Sequence, residues 1–280
     1  MSHKFNILIA YPYLKKPCID EIKDLSDSRV IIDSGAFTAW KAGKVIDINE
    51  YCSFIKNLPF EPWKYFMLDV IGDPIKTKKN YDIMLRQGLN PIPIFTRGDD
   101  IKELDEYYKT SDIVGIGGLV GTKQNKGFVK GIMEKVKGRK VHWLGFANSK
   151  YISYYKPYMC DSSSWASPLQ FKSLNIYYGK GIFKTISKID CIKKPTKEII
   201  DLLEWYGEDY KLLQFEKQWV NSGRNESILE RATTKSYSLF QYDIHKNFNT
   251  KYFLAISNLV DLKRLYKGFK FWKSKGVIKI

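Results

Sequence analysis

The sequence predicts an α/β fold: a compact (β/α)8 barrel of the TIM type followed by a helical, basic extension. Three observations carry that expectation. Short β-rich runs return at residues 5–10, 30–33, 65–70, 91–96, 113–117, 140–146, 158–161 and 181–186, which makes eight strands. Segments with helical spacing lie between several of them, at 48–57, 77–87, 100–109 and 127–136, and alternation of this kind implies a parallel sheet. The run starts recur about every 25 residues, which suits a compact eight-unit barrel. A doubly wound open sheet fits less well, because no Gly-x-Gly-x-x-Gly turn follows the first run.

The pattern changes near residue 190. Longer helical stretches follow at 196–206, 211–220 and 227–232, then a final region rich in lysine and aromatic residues. The expected organisation is therefore a barrel domain over 1–190 and a helical, basic extension over 191–280. At 280 residues, 44% apolar and 27% charged, the chain can bury a sizeable core and has no need of a disulfide framework. No apolar run approaches the roughly 18 residues of a membrane span, and the N-terminus shows no secretory pattern. A soluble cytoplasmic protein with no membrane partner is expected. The four cysteines and three histidines form no CxxC, CxC or HxxxH pair, so no zinc site and no cofactor are expected.

Charge is the most informative bulk property. Forty-six basic against 30 acidic residues give +16, a balance that attracts polyanions. A lysine-rich solvated surface would carry the same arithmetic. Residues 244–280 hold nine Lys or Arg and one Asp, interleaved with seven aromatic rings from Phe248 to Trp272. Basic side chains beside stackable rings are what a nucleic-acid surface uses, and Lys263, Lys267, Lys270 and Lys273 are its candidate phosphate contacts. An amphipathic core helix with a solvated lysine face would look much the same.

In a (β/α)8 barrel the reactive groups sit at the C-terminal ends of the strands. Three runs end in aspartate: Asp33 before Ser-Gly-Ala-Phe, Asp69 after Tyr-Phe-Met-Leu, and Asp161 before Ser-Ser-Ser-Trp. An aspartate after a strand can simply cap the next helix. Three on one rim point instead to paired-carboxylate chemistry at an anomeric carbon, one group attacking or stabilising charge while another moves a proton. The glycine-rich end Gly115-Ile-Gly-Gly-Leu-Val-Gly121 would let a ligand lie against backbone, or relieve crowding inside the barrel. Arg97 could bind a phosphate or a polar base edge, Phe37 could cover one face of a ring, and Trp165 could stack on a base or be core. Ser162, Ser163 and Ser164 could orient the Asp161 carboxylate or cap a helix. His142, inside the sixth run, reads as a core histidine.

As an ordered set these motifs resemble the tRNA-guanine transglycosylases and their relatives that act on DNA. Asp33-Ser-Gly-Ala-Phe37 looks like the family's Asp-Ser-Gly-Gly-Phe, whose aspartate is general acid/base. Phe66-Met-Leu-Asp69 is similar to the strand whose aspartate reads the base, Gly117-Gly118-Leu119 to the strand end whose backbone does so, and Trp143-Leu-Gly145-Phe146 to Leu-Met-Gly-Val. Asp161 falls where the family has its nucleophile. The resemblance covers about residues 5–165 and implies attack of Asp161 on C1′, release of guanine, and capture of a free 7-deazaguanine base. It departs at Pro93-Ile-Phe-Thr-Arg97, where the family has a base-contacting Gln, and in lacking the Cys/His zinc insertion that shapes tRNA docking. The DNA-modifying branch is therefore the closer likeness. A DNA glycosylase that excises a base with the same pocket, a tRNA-directed transglycosylase and a catalytically silent nucleic-acid-binding barrel are the alternatives.

Overall fold

Why the short apolar runs become strands is clear from their burial: the first, Phe5–Ala10, is buried at every position, as expected of strands covered on both faces. The structure, a computed structural model, describes residues 3–119, 125–193 and 195–279. Its strands are β1 (Phe5–Ala10), β2 (Ser28–Asp33), β3 (Lys64–Tyr65), β4 (Ile94–Phe95), β5 (Ile113–Ile116), β6 (Lys140–Trp143), β7 (Met159–Ser162), β8 (Leu174–Gly179), β9 (Ile182–Ile186) and β10 (Lys251–Ile256).

Eight of them form one sheet in the order β3-β2-β1-β10-β7-β6-β5-β4, and each pair with a defined register is parallel. The sheet curls, and the chain beside its two outer strands meets in an isolated bridge. Phe66 bridges Ile92 in parallel, the Ile92 N–H donates to the Tyr65 carbonyl at 2.8 Å, and the Met67 N–H donates to the Ile92 carbonyl at 3.0 Å. Helices follow most strands, including Ala36–Lys41, Pro74–Arg86, Ile101–Thr110 and Asn125–Val136.

The eighth strand is not where the sequence pattern put it. Residues 182–186 form β9, which pairs antiparallel with β8 in a separate two-stranded sheet. The vacant place between β1 and β7 goes to β10, whose Tyr252, Phe253 and Leu254 are fully buried. Both segments carry β-formers, but β10 is nearly all apolar and buried while β9 is mixed and exposed or half-buried at most positions. The stretch expected as one helix over 211–220 is two short 3-10 turns, Tyr210–Gln214 and Glu216–Trp219.

Two compact units result, and they cut across the boundary expected near residue 190. One comprises residues 6–162 and 250–257; the other comprises 1–5, 163–249 and 258–280. In the second unit the helix Ile228–Phe248 opens with a capping box, Ser227 with Glu230, and packs on the helix Leu259–Ser274. Gly268 makes that crossing close: a Cβ there would lie 2.7 Å from the Thr234 backbone. No helix among the described residues is long and apolar enough to cross a membrane.

Candidate functional site

Parallel pairing sends the C-terminal ends of all eight sheet strands to one side, and three aspartates ride there. Asp33 closes β2, Asp161 sits inside β7, and Asp69 lies just past β3 and the Phe66 bridge. None of them is the cap residue of a following helix. That task falls to Asp47, Asp73 and Asp100, whose carboxylates accept from helix N–H groups. The three strand-end aspartates are left for other work.

They are close enough to feel one another, and their surroundings differ. Asp33 keeps part of its surface open to solvent, yet it lies so deep among protein atoms that burial raises its pKa to about 7. The charge of Asp69 adds to that rise, the Gly35 N–H opposes it, and the charge of Asp161 contributes further. The Gly35 N–H reaches the Asp33 Oδ2 at 2.9 Å because Gly35 turns through φ +76°. A Cβ there would strike Pro12 Cδ at 2.4 Å, so the motif needs its glycine. Asp69 is also raised, mainly by burial, with the Ser34 hydroxyl opposing by donating to Oδ1 at 3.1 Å. Beneath them Tyr51 donates to the Phe66 carbonyl at 2.9 Å. Burial, then the charges of Asp33 and Asp69, hold its phenol well above the ordinary range.

Asp161 is held differently. Its Oδ1 accepts from the Gly145 N–H at 3.0 Å and lies 2.8 Å from the His142 Nε2. His142 is fully buried, with its ring against Phe66 at 4.9 Å between centroids. Among the described residues its Nδ1 has no partner, so the tautomer with the proton on Nε2 leaves no orphaned donor. Asp161 Oδ2 receives no hydrogen bond among the described residues. One oxygen of this carboxylate is therefore tethered, while the other is uncommitted.

A cavity of about 250 Å³ opens beside Asp69, lined among others by Thr77, Thr96, Arg97 and Asp99. Arg97 places its guanidinium over the Phe128 ring at 4.7 Å. Gly117, Gly118 and Leu119 lie past β5, where the glycines make room for protein: Cβ atoms would meet Thr96 Oγ1 at 2.9 Å and Arg97 Cβ at 3.0 Å. Leu119 is buried. Val120 and Gly121, the rest of that glycine-rich end, lie outside the described residues. A second cavity of about 120 Å³ shares Asp69 and reaches Trp40 and Asn80. Phe37 is half exposed and stacks on the equally exposed Trp40 at 5.9 Å between centroids.

The structure thus brings Asp33, Asp69, Asp161, Gly145 and Arg97 to one end of the sheet. Trp165 belongs to the other unit, where it is buried under the Arg264 guanidinium at 5.0 Å and offers no free face for stacking. Orientation of Asp161 comes from Gly145 and His142, while Ser163 makes no capping bond. Lys263, Lys267, Lys270 and Lys273 form an exposed stripe on the helix Leu259–Ser274. Of the seven aromatic residues interleaved with them in sequence, Tyr252, Phe253, Phe269 and Trp272 are core, whereas Phe248, Tyr266 and Phe271 are part-exposed and Tyr266 lies under the Lys270 ammonium at 4.8 Å. His142, Ser34 and Trp40 are the members that sequence reasoning missed. Ser34 stood inside a recognised motif, whereas His142 meets Asp161 only through the β6–β7 register. Family profiles, curated proteins and solved structures yield no match to the chain.

Proposed function

We propose that the chain is a base-exchange enzyme of the guanine transglycosylase type, acting on nucleic acid and most readily on DNA, with the curled sheet serving as a (β/α)8 barrel. The observation that carries this reading is the inequality of its carboxylates. Asp161 offers one untethered oxygen next to an oxygen fixed by two donors, which suits a nucleophile. Asp33, titrating at about 7, is poised to both give and take a proton at neutral pH.

In this reading Asp161 Oδ2 attacks C1′, the bond from C1′ to the base nitrogen breaks with its electron pair going to the base, and Asp33 supplies the proton that neutralises it. An incoming 7-deazaguanine then gives a proton to Asp33, its ring nitrogen bonds C1′, and Asp161 leaves as carboxylate. Asp69 and Arg97 line the cavity in which the base would be read, and Trp40, with Phe37 stacked on it, offers rings beside the second cavity that shares Asp69. The target nucleotide must leave its stack to reach such a recess. The +16 charge and the exposed lysine stripe supply phosphate contacts, and the missing Cys/His insertion favours DNA over tRNA.

The test is to incubate the protein with duplex DNA, single-stranded DNA or tRNA, with and without a 7-deazaguanine, and to analyse the digested nucleosides by mass spectrometry. Exchange requires the new nucleoside only when the free base is present, and its loss in Asp161→Asn. An abasic product without the free base means excision, with water replacing the incoming base; unchanged nucleosides in every arm would sink the reading.

A further inference from the structure

At the opposite end of the same sheet, where the strands begin, cations gather without enough carboxylates to balance them. Lys251 opens β10, Lys140 opens β6, Lys64 opens β3, and Arg29 is the second residue of β2. Lys251 and Lys140 share one ring: their Nζ atoms lie 3.9 Å and 5.2 Å from the centroid of Tyr158. Lys251 is 6% exposed, and among the described residues its ammonium has neither a hydrogen bond nor an ion pair. Arg29 rests over Trp63 at 5.6 Å and, among the described residues, donates only to the neutral Asn6 Oδ1 at 3.3 Å. Among the described residues the carboxylate that pairs with this group is Asp112, bound to Lys140 at 2.8 Å and also feeling Lys64.

We propose that this end of the sheet is an anion site in which Lys251, Arg29 and Lys140 together hold a phosphate group. Buried charges ordinarily come paired, because an unpaired one costs several kcal/mol in lost solvation. Lys251 has no such partner among the described residues, and because its ammonium keeps some contact with solvent it bears part of that cost. Burial, then the charges of Arg29 and Lys140, lower its pKa to about 8, and an anion seated among the three would offset each of these costs. Two lysines against one ring and an arginine whose charge reaches Lys251 offer separate donors from three strands, which suit a tetrahedral multi-oxygen anion better than a planar carboxylate held by one fork. The phosphate could be a nucleic-acid phosphodiester or a free phosphate ester. Neither source depends on the base-exchange reading, since the two sites occupy opposite ends of the strands.

Inorganic phosphate is the first probe, titrated into the full chain by calorimetry, with Lys251→Met to remove the charge while keeping the stem on Tyr158. Arg29→Gln is the second variant, and near-UV circular dichroism checks that each remains folded. The expected result is saturable binding to the wild type, weakened about tenfold or more in both variants. Wild-type affinity should also fall as pH rises through about 8, when Lys251 loses its proton, while Lys251→Met shows no such step. Absence of saturable binding, or equal affinity in all three proteins, overturns the site. A short single-stranded oligonucleotide is the second probe. If it displaces phosphate from the wild type, the natural ligand is a nucleic-acid strand; if it does not, the ligand is a small phosphate ester, and either result supports the shared chemistry.

Discussion

Asp33 and His142 are the two residues whose behaviour departs most from what their position in the sequence suggests. Asp33 takes up a proton on folding across the interval between its ordinary value of 3.8 and about 7, so the folded state binds more protons there than the unfolded state. Stability from this group is complete below the unfolded value and is lost as pH rises through the folded one. Asp33→Asn keeps an acceptor for the Gly35 N–H and removes the titration. The variant should match wild type near pH 4 and exceed it by ~2 kcal/mol at pH 8, a figure discounted for the solvent that the carboxyl still meets. Urea denaturation at both pH values checks this, and a gap that does not change with pH refutes the assigned shift. His142 is fully buried, and its loss leaves Asp161 with the Gly145 N–H as its remaining donor. His142→Ala should cost about 2–4 kcal/mol, whereas Asp161→Asn, which keeps the volume and an acceptor for Gly145, should cost much less. Similar urea midpoints for the two variants would show that the His142–Asp161 bond contributes little. The sequence marks both aspartates through their place at strand ends, but it marks His142 only as a residue inside an apolar strand. Its partner lies 19 positions further on, and nothing local encodes that meeting.

At the scale of elements, glycine shows how the same residue type carries opposite instructions. Gly268 sits inside the helix Leu259–Ser274 with the Thr234 backbone where a Cβ would go. Gly131 sits inside the helix Asn125–Val136 with nothing within 4 Å. Gly268→Ala should force the two packed helices apart and destabilise by about 1–3 kcal/mol, while Gly131→Ala should stabilise by about 0.5–1 kcal/mol through helix propensity. Shifts of the urea midpoint in the same direction for both would contradict the close crossing. Sequence periodicity found the helices Ile48–Lys56, Ile101–Thr110 and Lys197–Trp205 because each presents apolar residues at helical spacing and carries an N-cap. It did not find β10. Lys251 begins that strand and Lys246 lies shortly before it, so an unbroken apolar run, Tyr252 to Ile256, read as part of a basic aromatic surface. The continuous run was the available signal, since strands covered on both faces need not alternate.

For the whole molecule, the decisive fact is that the chain leaves the curled sheet after β7 and returns to it only with β10. Between them lie residues 163–250, most of the second unit. Eight regularly spaced runs read along the chain hide this detour, because β9 supplies a decoy at the expected spacing. The consequence is a test of where foldability resides. β10 pairs with β1 through Ile7, Leu8 and Ile9 and with β7 through all four of its residues, Met159 to Ser162. A fragment of residues 1–190 contains every other strand of the sheet but leaves both of these edges without partners, exposing backbone groups and the apolar faces that Tyr252, Phe253 and Leu254 cover. That fragment should therefore lack a cooperative urea transition and a near-UV circular dichroism signal, whereas the full chain has both. A sharp transition in the fragment would mean that seven strands close without the eighth, and that β10 is an addition to the sheet rather than a condition of it.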